Sequence, residues 1–330
     1  MPVILPTKRC DLRCTHCMRD EYSSGDLDPD LLGRFLSEFS KHSKQRSLHS
    51  FTGGEPTVHK DLNGLFDAFR TTGHSLYIVS NGQNEEGVES VIKNKDVIDY
   101  MSISLDAANE ELNDMTRGKG VFKKVLENTK IYKENGVDVD YRFVLHDRNA
   151  DYIEDTYKLA TELGIKRLRF STMHPIAKDK ASELTVSYDV LLNSYKKIME
   201  LKKKYPNIAA GVNTRHFESF TQPFWPKEMC TPVGGPLNGI TLLPDGKVLF
   251  CCDFVDLSFD YSRYEGNTNP NRMDPVIGDF NVDSLDVIKE RKRQHINKLK
   301  QRRKQDYANG LLTGNREFIC ENCKFYHFHG

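Results

Sequence analysis

The chain carries no net charge, with 47 Lys and Arg set against 47 Asp and Glu in 330 residues. That balance removes the global electrostatic case for nucleic acid or an anionic membrane as partner. No apolar run reaches the roughly 20 residues needed to span a bilayer. The opening Met-Pro-Val-Ile-Leu-Pro is too short for a signal peptide. Low-complexity tracts are absent, as are internal repeats beyond an alternation of strands and helices. In an unexported chain the eight cysteines are expected to be metal ligands rather than disulfides. The protein therefore reads as cytoplasmic and oxygen-sensitive. A hydrophobic content of 38% is ample for one large unit plus a smaller one.

What is present is concentrated in two cysteine sets. Cys10, Cys14 and Cys17 form a C-x3-C-x2-C run. Three thiolates are one fewer than the four that usually hold an iron–sulfur cluster, so one iron would stay open to an outside ligand. A structural zinc site is the alternative, but zinc motifs pair such cysteines with a second Cys or His pair nearby. Only His16 is close, and inside the Cys14/Cys17 pair it is badly placed for a tetrahedron. Farther on, Phe51-Thr52-Gly53-Gly54-Glu55-Pro56 follows a short apolar strand. Its glycines allow close backbone approach to a ligand, and Glu55 can accept from an ammonium group.

Short β-rich runs alternate with amphipathic helical ones. Strands are expected at 3–5, 48–52, 76–79, 99–105, 137–145 and 167–173. Helices are expected at 30–40, 62–70, 122–134 and 152–163, with Gly73, Gly136 and Gly164 as stops. Six β–α units predict a parallel sheet curling toward a barrel, with ligands at the carboxyl ends of its strands. The cysteines, Gly53-Gly54-Glu55-Pro56, Ser80-Asn81 and Ser104-Leu105-Asp106 all fall just after strands. Alternation puts Val139, Tyr141, Phe143, Leu145, Leu168 and Phe170 under the helices. It leaves Arg142, Arg169 and Ser171 facing the lumen, where two arginines suit a carboxylate or phosphate. A register slip would instead put them at the rim.

The cysteine run and Gly53-Gly54-Glu55-Pro56 together resemble the radical S-adenosylmethionine (radical SAM) superfamily. The resemblance implies a partial (β/α)6 TIM-type barrel over residues 1–205. It implies a [4Fe–4S] cluster on Cys10, Cys14 and Cys17, with SAM chelating the fourth iron. The Gly53–Pro56 run would bind the SAM amino group, Ser80, Asn81 and Ser104 would contact SAM, and Arg117 would hold its carboxylate. His16 stands where the family usually has an aromatic residue near adenine.

From about residue 206 the pattern changes. Asn238–Leu243 and Lys247–Phe250 flank Pro-Asp-Gly and read as a hairpin. Cys230 precedes it, Cys251 and Cys252 follow it, and Cys320-x2-Cys323 comes near the end. This resembles the SPASM and twitch extensions that carry auxiliary iron–sulfur clusters, in a small α+β unit over 206–330. There are too few cysteines for a full SPASM domain. The twitch pattern assigns an auxiliary [4Fe–4S] cluster to Cys230, Cys251, Cys320 and Cys323 and leaves Cys252 spare. Zinc is the alternative for this set. A spare thiol could donate hydrogen to a substrate radical, or be a small buried hydrophobe.

A basic helix after Ser284 bears Lys289, Arg291, Lys292, Arg293, Lys298, Lys300, Arg302, Arg303 and Lys304 beside a sparse stripe of Leu285, Ile288, Ile296 and Leu299. Such a face is either solvated or a dock for an acidic electron donor such as a flavodoxin or ferredoxin, or for an acidic peptide. The implied activity is reductive SAM cleavage to a 5′-deoxyadenosyl radical and hydrogen abstraction from a substrate, leading to oxidation or epimerisation. Peptide-modifying relatives often carry an N-terminal recognition extension, and here the first cluster cysteine is already residue 10. That favours a small polar metabolite, such as an aminocyclitol or sugar. Modification of a ribosomal peptide or protein is the alternative, and a non-catalytic cluster-assembly protein a remote one.

Overall fold

The computed structural model describes the chain except residues 18, 20, 21, 23, 24, 44, 45, 173–183, 185, 186, 213–234, 255–272 and 310–330. Seven strands run parallel: β1 (Val3–Ile4), β2 (Leu48–Phe51), β3 (Ser75–Ser80), β4 (Ile98–Ser104), β5 (Val139–Leu145), β6 (Arg167–Thr172) and β7 (Ala209–Val212). They lie side by side in sequence order. Three more strands, β8 (Thr241–Leu242), β9 (Lys247–Leu249) and β10 (Val276–Asp279), continue the same sheet beyond β1, in the order β10-β9-β8-β1-β2-β3-β4-β5-β6-β7. The fold is the mixed α/β, parallel-strand arrangement of a partial TIM barrel. β8 also pairs parallel with β1, and only β9 and β10 pair antiparallel, so the parallel run has two strands more than the six expected, and β7 lies just past residue 205.

Between β1 and β7, every connection contains at least one helix. The helices are α1 (Pro29–Ser40), α2 (Leu62–Thr72), α3 (Glu85–Lys93), α4 (Glu110–Arg117), α5 (Val121–Glu134), α6 (Ile153–Glu162) and α7 (Tyr188–Lys204). α1 shows why they form. The Asp28 side chain accepts from the backbone N–H groups of Asp30 and Leu31, Pro29 opens the first turn, and Leu31, Leu32, Phe35, Leu36 and Phe39 bury one face. α2 is capped by Asp61 and ends at Gly73, whose φ of 71° is the left-handed stop that glycine adopts without strain.

The pleat is resolved as the alternation predicts. Tyr141, Phe143, Leu145, Leu168 and Phe170 are buried in the core beneath the helices, while Arg142, Arg169 and Ser171 are only partly buried on the opposite face. The helix α8 (Leu285–Ala308) packs over β10. The Ser284 carbonyl accepts from Ile288, and Glu38 of α1 accepts from the Leu285 N–H at 3.1 Å. One expectation for α8 is corrected. Lys292 is not on the basic face but fully buried, its ammonium donating to the carbonyls of Gly235 (2.9 Å) and Asn238 (2.5 Å). It shares a seam with Leu285, Ile288, His295 and Leu299 at helical spacing. No helix among the described residues is long and apolar enough to cross a membrane.

Candidate active site at the carboxyl ends of the strands

The cysteine loop begins directly after β1 and is bound to three neighbouring segments. The N–H of Gly54 donates to the Thr7 carbonyl (3.1 Å), and that of Glu55 to Arg9 (2.7 Å). A Cβ on Gly54 would overlap the Arg9 carbonyl, and one on Gly53, whose φ is 145°, would overlap the Leu5 side chain. Both glycines are thus required by the close passage of the cysteine loop. From the loop after β3, Asn81 Nδ2 and Gln83 Nε2 donate to the two carboxylate oxygens of Asp11, at 2.6 and 3.0 Å. From α4, the Thr116 carbonyl accepts from Thr15 (2.9 Å). Arg13 folds back onto the carbonyls of Cys10 and Leu12 and stacks on Tyr22, 3.5 Å from its ring centre.

Glu55 is the hub of the mouth. Its Oε1 accepts from the Thr57 N–H (3.1 Å), the Thr57 hydroxyl (2.7 Å) and the Ser80 hydroxyl (2.8 Å), and its Oε2 from the Asn81 N–H (2.6 Å). It also caps the short turn that Pro56 opens. Burial pushes its carboxyl up to about 7, against the opposing pull of these donors. Glu55 and Ser80 therefore join β2 to β3, and Asn81 joins β3 to the cysteine loop.

A second hub was not foreseen from the sequence. Asp106, fully buried after β4, faces Arg117 of α4, with Arg117 Nε at 2.7 Å and a terminal nitrogen at 3.0 Å. It also accepts from the Val144 N–H (3.0 Å), and His16 Nε2 lies 3.5 Å away. Burial opposes its ionisation, but Arg117 and His16 hold the carboxyl below its usual value. Burial lowers His16 to about 4, so it is neutral. The Arg117 guanidinium is thus engaged by Asp106, and His16 is turned into the protein beside it. The signal available in the sequence was an acid ending a strand, but its partners lie on other elements.

The residues present suit an open iron–sulfur cluster. Cys10, Cys14 and Cys17 are partly exposed thiols, none in a disulfide. Burial raises Cys10 to about 12 and Cys14 to about 11 without metal, Arg117 pulling Cys14 the other way. Coordination would deprotonate such thiols outright. No three His, Cys, Asp or Glu side chains among the described residues converge as a single metal ion requires. A cubane asks for less convergence, since each thiolate binds a different iron.

On the lumen wall, Ser104 of β4 pairs in register with Arg142 of β5, and Arg142 with Arg169 of β6. Of the second cysteine set, Cys251 is buried and Cys252 partly exposed in the turn that follows β9. Cys230, Cys320 and Cys323 lie outside the described residues.

Known proteins resemble the stretch that carries this site. The Radical SAM superfamily profile matches residues 4–160. The Fe-coproporphyrin III synthase of Methanosarcina barkeri is 30% identical over 200 residues, 59% of this chain and 48% of that protein. The antilisterial bacteriocin subtilosin biosynthesis protein AlbA of Bacillus subtilis is 27% identical over 174 residues, 50% of this chain and 37% of AlbA. The chain thus spans half or less of these two relatives. Among solved structures, SuiB of Streptococcus suis bound to S-adenosylmethionine superposes with a TM-score of 0.68 at 19% identity, over 87% of this chain and 64% of SuiB, a likeness of fold. That family acts through SAM and a [4Fe–4S] cluster, and the loops that close on Cys10, Cys14 and Cys17 all lie within the matched stretch. Residues 4–160 are a radical SAM domain.

Proposed function

We propose that this radical SAM enzyme modifies a ribosomally made peptide. The observation that carries the catalytic part is the gathering of three cysteine thiols, Gly53-Gly54-Glu55, Asn81 and Arg117 at one end of a parallel sheet. When bound, the cluster and SAM supply a 5′-deoxyadenosyl radical able to take a hydrogen atom from a C–H bond. The chain's own contribution is position. Asp11 and the backbone of Gly54 and Glu55 hold the cysteine loop against β2 and β3. Asp106 holds Arg117 beside Cys14. The Gly53-Gly54 backbone and Ser104 would contact SAM, the Glu55 carboxylate being already taken by Thr57, Ser80 and Asn81. The lumen below orients the substrate and excludes water.

The choice of a peptide over the small metabolite draws on the relatives. SuiB has also been solved bound to its precursor peptide SuiA, and AlbA serves the biosynthesis of subtilosin. The deciding experiment incubates anaerobically reconstituted protein with SAM, dithionite and the short peptides encoded beside its gene. A mass change or deuterium uptake in a peptide supports the reading. Turnover of a sugar or aminocyclitol with no peptide changed overturns it.

Cys230, Cys251, Cys320 and Cys323 would hold an auxiliary [4Fe–4S] cluster, which would supply an electron acceptor if the outcome is oxidation. Cys251→Ala should then cost about four irons, and Cys252→Ala none. The reverse pattern moves the ligand by one residue. If the outcome is epimerisation, Cys252 is the hydrogen donor, and Cys252→Ala stops turnover in deuterated buffer while SAM cleavage survives.

A further inference from the structure

Two arginines enter the lumen side by side, and the structure answers only one of them. Arg169 donates from Nε to Asp140 (2.7 Å) and from a terminal nitrogen to the Tyr100 hydroxyl (3.1 Å). Its charge is neutralised within the wall. Arg142, its register partner on β5, has no hydrogen-bond or ion-pair partner among the described residues, and its Nε is sealed from solvent. One inward-facing step deeper, the Ser102 hydroxyl and the Asp140 Oδ1 are also buried without partners, and these two residues are register partners across β4 and β5. Buried polar groups are nearly always satisfied in the working state of a protein. Arg142 is only partly buried, so its charge keeps some water, but its Nε–H is sealed and lacks an acceptor. The wall therefore lacks one acceptor at Arg142.

We propose that Arg142 anchors a carboxylate of the substrate, the side chain of an aspartate or glutamate carried by the peptide. This rests on the peptide-modifying reading above. A carboxylate fits better than a phosphate on charge. Asp140 already cancels Arg169, so the wall offers one unanswered cation, and a planar guanidinium fork matches one planar anion through two parallel N–H···O bonds. In register, Ser104 on β4 and Arg169 on β6 flank that position. Because Ser104 is itself an expected SAM contact, the methionyl carboxylate of SAM is the rival source of the same chemistry.

The test measures binding to the reconstituted holoprotein by anaerobic equilibrium dialysis. The probes are N-acetyl-glutamate amide, its neutral isostere N-acetyl-glutamine amide, N-acetyl-phosphoserine amide, and SAM by itself. Wild type should prefer the glutamate probe over the glutamine probe by about tenfold or more, the worth of a hydrogen bond to a charged group. Arg142→Gln should abolish that preference and leave SAM affinity unchanged, and Arg142→Lys should restore part of it. A preference that survives in Arg142→Gln overturns the proposal. So does no preference in wild type, tighter binding of the phosphoserine probe, or SAM affinity falling with the glutamate preference. Formation of 5′-deoxyadenosine in the same preparations separates the two readings. If wild type cleaves SAM and modifies peptide but shows no carboxylate preference, only this inference fails. If it modifies no peptide, the peptide reading fails whatever the probes show.

Discussion

Glu55 at the mouth and Asp140 on the lumen wall are both buried carboxylates, and the protein treats them differently. Glu55 takes four donors from Thr57, Ser80 and Asn81. Asp140 uses one oxygen for Arg169 and leaves the other without a partner. The cations differ in a similar way: Arg117 is ion-paired with Asp106 at the mouth, though its Nε makes no well-aligned hydrogen bond, while Arg142 has neither an ion pair nor a hydrogen bond among the described residues. A mouth that must hold three thiols in one arrangement is braced by the chain through Glu55, Asp11 and the Asp106–Arg117 pair, although His16 Nδ1 and Arg117 Nε there also lack hydrogen-bond partners. A wall that must receive a ligand keeps unmet hydrogen-bonding capacity. Breaking the first should unfold the site, whereas changing the second should spare the fold and alter binding.

The largest effect is expected at Asp106. Asp106→Asn leaves Arg117 charged, buried and without its counter-ion, which should cost about 3–5 kcal/mol in urea denaturation. Asp140→Asn should cost clearly less, because Arg169 is 40% exposed and water can solvate it. Equal losses would erase the distinction between mouth and wall. Gly54→Ala comes next. The new methyl group pushes against the Arg9 backbone, so about 1–3 kcal/mol should be lost, together with retention of iron on Cys10, Cys14 and Cys17. A stable Gly54→Ala protein with full iron content would mean the loop can pass elsewhere.

A pH effect sharpens the same comparison. The Glu55 carboxyl is raised from its ordinary 4.5 to about 7 in the folded protein, by burial. Folding therefore favours the protonated form. The stability it contributes is complete below about pH 4.5 and declines as pH rises toward 7, at up to about 1.4 kcal/mol per pH unit. Denaturation midpoints measured across that window should show the slope in wild type and lose it in Glu55→Gln. The smallest effect is expected in the wall: Arg142→Gln should change stability by no more than about 0.5 kcal/mol, checked by the same midpoints.

Much of this was legible in the sequence, and the reason is periodicity. β5 and β6 each have one face against helices and one toward the lumen, so a period of two sorted Tyr141 and Phe143 from Arg142 and Ser171 correctly. Elements with little apolar content were missed. α4, Glu110–Arg117, has only Leu112 and Met115 as large apolar residues, and its helix is secured by the Asn109 cap and by Asn113, Thr116 and Arg117 buried around Asp106. No local pattern carries that information, because Asp106, Arg117 and His16 meet only in three dimensions. Lys292 was misread for the opposite reason. Its type suggested solvent, while its spacing from Ile288 and His295 already placed it on the buried seam. The cysteine loop was readable because all three thiols are local in the chain. The second set is spread from Cys230 to Cys323, and only Cys251 and Cys252 fall within the described residues.

The central claim is that the mouth holds a cluster that cleaves SAM, and one measurement reaches it most directly. Protein reconstituted anaerobically with iron and sulfide is given SAM and dithionite, and 5′-deoxyadenosine is quantified by mass spectrometry, beside the variant in which Cys10, Cys14 and Cys17 are all Ala. The wild type should form 5′-deoxyadenosine, and the variant should form none while losing about four irons. Undiminished 5′-deoxyadenosine from the triple variant, or none from a fully loaded wild type, would contradict the account.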